Sequence, residues 1–192
     1  MDKYNKLRSQ IKTGDVMLYN GNGIISGIIR WADNAYYSHA GIAYWIGDRL
    51  FTIDAWTNGV ELVPMSRRMN MYKDFCVVRK ADAVPMTLRT AMSNLLNRVE
   101  RDEAYGYFGL IKRLAYLKCR KVFEFLFRIK ALTRKDLDKH RKPVCSDVAR
   151  EFMEDYGVIC YSDIVMPTPE DLHRYVNTIE LTVMFDKRVE EN

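Results

Sequence analysis

Residues 37–56 constrain this 192-residue chain more than any other stretch. Tyr37-Ser38-His39-Ala40-Gly41-Ile42-Ala43-Tyr44-Trp45 reads as a strand headed by an imidazole. Leu50-Phe51-Thr52-Ile53-Asp54-Ala55 reads as its partner, and Gly47-Asp48 between them suits a two-residue hairpin turn. A turn centred there sets the register: Ile46 faces Arg49, Trp45 faces Leu50, Ala43 faces Thr52, Gly41 faces Asp54 and His39 faces Trp56. Faces alternate with period two, so Ala40, Ile42, Tyr44, Phe51, Ile53 and Ala55 make one apolar face. His39, Gly41, Ala43, Thr52 and Asp54 share the other. His39 and Asp54 become diagonal neighbours across a glycine, roughly 7–8 Å apart at the backbone. That separation is within reach of a histidine–carboxylate hydrogen bond.

The rest of the chain supplies what such a hairpin needs to fold. With 48% apolar and 12% aromatic residues it can bury a core, which excludes general disorder. One domain spanning 1–192 is the expectation from its length. No apolar run is long enough to cross a membrane. The start, Met1-Asp2-Lys3-Tyr4-Asn5-Lys6, is charged and lacks the apolar centre of a leader, so a cytoplasmic location is expected.

In chain order, residues 3–12 read as a short helix and Val16–Tyr19 as a strand. Asn20-Gly21-Asn22-Gly23 is a turn and Ile24–Ala32 a helix of about two turns. After the hairpin, Asn58-Gly59 turns the chain into a strand over Val60–Val63, and Asp74–Lys80 is a further strand. Thr87–Arg101 has helical periodicity, and Tyr107–Ile129 is a basic, aromatic helical stretch. Thr133–Lys142 reads as a loop or frayed helix. Pro143–Met153 reads as a helix that ends before Gly157, Thr168-Pro169-Glu170-Asp171-Leu172 opens a short one, and Thr178–Phe185 is a last strand.

Of the four cysteines, Cys145 falls near a predicted helix start, where unpaired N–H groups and the helix dipole stabilise a thiolate. An imidazole beside it would act as general base, a carboxylate would hold the imidazole's tautomer, and the Cys145 N–H could donate to an oxyanion. The candidates are therefore Cys145 as nucleophile, His39 as base and Asp54 as orienter. The small residues Gly41 and Ala43 on the His39 face are expected to let the Cys145 helix pack close. Cys76 and Cys119 lie among apolar residues and read as core, while Cys160 follows a glycine turn. The cysteine spacings match neither a disulfide scaffold nor a CxxC metal site, and His39, His140 and His173 add no ligand spacing. No metal or cofactor is expected.

Several short motifs, in order, resemble one known family. Thr13-Gly14-Asp15-Val16-Met17-Leu18, Ile25-Ser26-Gly27-Ile28-Ile29-Arg30-Trp31-Ala32 and Tyr37-Ser38-His39-Ala40-Gly41-Ile42 look like the circularly permuted branch of the NlpC/P60 papain-like superfamily, the YiiX/YaeF-like proteins. Ile53-Asp54-Ala55, Gly59-Val60, Val63-Pro64-Met65, Val144-Cys145-Ser146-Asp147-Val148 and Thr168-Pro169-Glu170-Asp171-Leu172 follow in the family's sequence. The resemblance implies an α+β, circularly permuted papain-like fold with an antiparallel sheet packed against helices. It also implies His39 as base, Asp54 as the acid and Cys145 as nucleophile in a thiol hydrolase or acyltransferase that passes through a thioester. The family often carries glutamate where this chain has Asp54, and its secreted members have leaders.

Residues 112–142 stand outside the resemblance and read as a basic helical insertion. They hold twelve Lys/Arg against three acids, a surplus of nine that leaves −4 of the net +5 for the remainder. Such a segment suits an anionic membrane or a cell-wall polymer and would give peripheral membrane association. No nucleic-acid motif accompanies it. The leading expectation is a cysteine peptidase or amidase acting on a small peptide or amino-acid amide. The alternatives are a lipid-directed acyltransferase or lipase with the same triad, and a non-catalytic ligand-binding module.

Overall fold

A computed structural model describes residues 2–81, 84–106, 144–157, 169–174 and 181–186. The elements are α1 (Asp2–Leu7) with a 3₁₀ turn over Arg8–Gln10, β1 (Val16–Gly21), α2 (Ile24–Asp33), β2 (His39–Ile46), β3 (Arg49–Trp56) and β4 (Gly59–Pro64). Then follow α3 (Met65–Met71), β5 (Tyr72–Lys80), α4 (Pro85–Glu100), α5 (Cys145–Asp155), α6 (Pro169–Arg174) and β6 (Leu181–Asp186). Expectations for 107–142, including the basic insertion at 112–142, and for Pro143, Cys119, Cys160 and Thr168, lie outside the described residues.

The strands form one antiparallel sheet in the order β4-β3-β2-β1-β5-β6. The β2–β3 hairpin has the register that its turn dictates, from Ile46↔Arg49 and Trp45↔Leu50 to Ala43↔Thr52 and Ile42↔Ile53. Gly47 sits at φ +59° while Asp48 does not have a positive φ, the pattern of a type II′ turn whose twist matches the flanking strands. Asn20 and Gly21 extend β1 rather than turning, because both pair with β5, at Asp74 and Tyr72.

Two cores follow from the alternation of side chains. On one face Ala40, Ile42, Ile53 and Ala55 pack with Val148, Ala149 and Phe152 of α5, Met92 and Leu95 of α4, and Leu172 of α6. On the other, Met17, Tyr19, Ala43 and Val77 pack with Met65 of α3 and with Tyr4 and Ile11 near the N-terminus. This corrects one expectation. The Cys145 helix packs on the Ala40/Ile42 face, so Gly41 and Ala43 do not seat it. The vacancy at Gly41 serves the hairpin instead, since a Cβ there would lie 2.5 Å from Thr52 Oγ1 and 3.1 Å from Asp54 Cβ.

Helix α3 has no counterpart in the sequence reading. It is seven residues long, its N-cap Pro64 makes no side-chain cap hydrogen bond, and no acid occupies its first turn. Helix α2 is built inside out. Arg30 turns inward, donating to Asn20 Oδ1 at 2.8 Å and to the Gly21 carbonyl, and Ile29 and Ala32 are buried. Ile24 (85% exposed), Ile25, Ile28 and Trp31 (66%) face outward as an apolar stripe.

Candidate active site

The three sequence candidates come from two elements of the hairpin and one helix. His39 opens β2, where the chain entering the strand is tied down on both sides. The Ser38 N–H donates to the Tyr19 carbonyl at 2.9 Å, and Ser38 Oγ accepts the Gly21 N–H at 3.1 Å. Glu170 of α6 accepts the N–H groups of Tyr36 (2.9 Å) and Tyr37 (3.3 Å), so the segment singled out by Thr168-Pro169 holds the approach to His39 from 133 residues away.

Across the hairpin, Asp54 is fully buried and its Oδ2 lies 3.0 Å from His39 Nε2. A one-residue slip would send it to the opposite face, so turn register positions this pair. Cys145 is the first residue of α5, where backbone N–H groups lack partners within the helix. The Asp147 carboxylate accepts the Val144 N–H at 3.1 Å and fixes that start. The Cys145 side chain neighbours the His39 ring and raises its pKa by its charge and by hydrogen bonding. With Nε2 committed to Asp54, Nδ1 is the nitrogen left to face sulfur. The thiol and the imidazole thus arrive from opposite faces of the sheet and meet at the end of β2.

The imidazole sits in an aromatic box. Tyr72 stacks on it at 5.6 Å between centroids, Tyr19 at 5.8 Å, and Trp56 meets it edge-on at 5.0 Å. Burial alone would push its pKa down, but the negative charges of Cys145 and Asp54 and its hydrogen bonds to both outweigh that and raise it to about 9. The imidazole therefore carries its proton near neutrality. The Tyr72 hydroxyl is pushed up chiefly by burial and next by the Asp54 charge, so it stays protonated, and it is buried without a hydrogen-bond partner among the described residues.

One residue that the sequence reading missed completes the arrangement. Arg68 of α3, 3% exposed, donates from Nε to Asp54 Oδ2 (3.0 Å) and from Nη2 to Asp54 Oδ1 (2.8 Å), and Nη2 also reaches Glu61 Oε1 at 3.2 Å. Its guanidinium lies 4.9 Å from the centre of the Trp56 ring. The signal for it was modest but present. Met65, Arg68 and Met69 share one face of a short helix, and an arginine at a core-facing position needs a buried acid.

Among the described residues, no group of three or more His, Cys, Asp and Glu side chains is placed to hold a metal. No described helix is long and apolar enough to cross a membrane.

No family model matches the chain and no curated protein does. Among solved structures it is similar to the crystal structure of metalloprotein yiiX from Escherichia coli O157:H7, DUF1105. The two share 14% sequence identity over 93% of this chain and 98% of that one, with a TM-score of 0.56. At that identity the likeness establishes the fold alone: this chain has a YiiX-like mixed α+β architecture with an antiparallel sheet packed against helices.

Proposed function

We propose that this protein is a cysteine hydrolase of circularly permuted papain-like fold, cleaving an amide bond through a thioester. The observation that carries the reading is one continuous chain of contacts, from a helix-start thiol through an imidazole to a buried carboxylate. The Cys145 thiolate attacks the amide carbon, and the oxygen takes up the electron pair of the C=O bond, facing the Cys145 N–H at the start of α5. Collapse of this intermediate restores C=O and breaks the C–N bond, and the His39 imidazolium gives its Nδ1 proton to the departing amine. Neutral His39 then removes a proton from water, whose oxygen displaces sulfur from the thioester. The acid leaves, and the thiolate–imidazolium pair returns. Asp54 holds the ring throughout as a carboxylate and takes no proton from it.

YiiX is described as a metalloprotein, and the residues here do not fit a metal at this site. His39 Nε2 is committed to Asp54, and both Asp54 oxygens are held by Arg68. No step runs through a metal.

A lipid-directed acyl transfer or hydrolysis with the same three residues is the second reading. The exposed stripe of Ile24, Ile25, Ile28 and Trp31 favours it, since α2 ends only a few residues before His39. An amphipathic helix of that kind seats on a lipid interface.

Labelling with a small thiol electrophile at neutral pH tests the shared chemistry. Cys145 reacts first, and His39→Ala slows it by ~10²-fold. Equal labelling of all four thiols, or indifference to His39→Ala, overturns the reading.

A further inference from the structure

The mechanism above uses three residues, yet the buried cluster holds a fourth charge. We propose that Arg68 is a positioning residue that fixes the Asp54 carboxylate and, by sharing it, keeps the His39 proton transferable. The inference rests on the cysteine-hydrolase reading for its purpose, though not for its test.

Asp54 Oδ2 is 3.0 Å from both His39 Nε2 and Arg68 Nε, and Oδ1 is 2.8 Å from Arg68 Nη2. A carboxylate gripped by both arms of a guanidinium cannot rotate away from the ring it orients. The guanidinium is itself held, by Glu61 on one side and by the Trp56 face on the other, and the Trp56 ring meets His39 edge-on. One residue of α3 therefore locks the carboxylate and, through Trp56, one wall of the imidazole's box.

The electrostatic consequence is specific. Among the described residues, the groups facing the imidazole are Cys145 from α5, Asp54 from β3, Tyr19 from β1 and Tyr72 from β5, with Arg68 of α3 and Glu61 of β4 behind Asp54. Burial keeps both phenols protonated, so among the described residues the negative charge that acts on the ring comes from Cys145 and Asp54. Arg68 offsets one of them. Without it, Asp54 answers to His39 alone, the imidazolium holds its proton more tightly, and the leaving amine receives that proton more slowly. A residue serving only the fold would lower stability and leave this titration where it was.

The experiment is an NMR titration of the His39 ring in the full chain, assigned by its loss in His39→Gln. In Arg68→Met the titration midpoint rises by ~1 pH unit, about tenfold in proton affinity. In Arg68→Lys, which keeps the charge but loses the fork, it stays within about half a unit of the starting protein. An unchanged or lowered midpoint in Arg68→Met overturns the proposal, and Arg68→Gln is read by the same criterion should the methionine variant fail to accumulate. Cys145→Ser separates this from the function it serves. Loss of the thiolate lowers the His39 midpoint if the hydrolase reading holds. A midpoint indifferent to Cys145→Ser sinks that reading, while the Arg68 comparison still stands or falls by itself.

Discussion

His39 is caught between two opposing influences. Its burial would strip the proton from an ordinary imidazole, and two adjacent anions return it with interest, to a pKa of about 9. Under the proposed hydrolase mechanism acylation needs the proton on His39 for the leaving amine, so turnover falls as pH rises through about 9, a limb read from a pH–rate profile. Asp54→Asn removes one of the two anions and the acceptor that orients Nε2. That variant lowers turnover by ~10²-fold or more and moves the alkaline limb to lower pH. A variant whose limb stays near 9 would mean that Cys145 alone sets the imidazole's charge. Position in the chain offers no guide to the proposed roles, because Cys145 follows His39 by more than a hundred residues.

At the scale of elements, Gly41 is where the hairpin's geometry is most exposed to test. A Cβ there would meet Thr52 Oγ1 at 2.5 Å and Asp54 Cβ at 3.1 Å, so Gly41→Ala must push apart the strand pair that holds His39 against Asp54. The expected cost is ~1–3 kcal/mol by chemical denaturation, together with a loss of Cys145 reactivity larger than that stability change explains. This hairpin was legible from sequence because a Gly-Asp turn and period-two alternation determine register without reference to anything distant. The helix bearing Cys145 was legible as a helix, but its face was not. Gly41 and Ala43 look like a seat for a helix, whereas the apolar weight of Ala40, Ile42, Ile53 and Ala55 draws α5 to the other side. Helix α3 and Arg68 stayed hidden for a related reason. Seven residues carry too little periodicity to read, and the value of Arg68 lies in a partner on β3 that only the folded sheet brings beside it.

For the molecule as a whole, the His39 shift is also a term in stability. A pKa raised from 6.5 to about 9 contributes stability that is fully present below about 6.5 and is lost as pH rises through about 9. The loss is on the order of 3 kcal/mol, seen as a falling urea midpoint over that window and absent in His39→Gln. The other molecular-scale feature is the stripe on α2, which the fold leaves outside both cores while it turns Arg30 inward. Side chains such as Ile24 and Ile28, 85% and 46% exposed, give little to folding, so replacing both with serine changes stability by about 0.5 kcal/mol or less. Their removal from a lipid surface is another matter, because apolar area buried only on binding contributes only to binding. Under the lipid-directed reading, the chain sediments with anionic vesicles, and Ile24→Ser/Ile28→Ser weakens that association by at least about tenfold. Sedimentation that survives the double substitution and disappears in high salt would transfer the role to the basic residues of 112–142. No sedimentation at all leaves the amide-cleaving reading to account for the triad by itself.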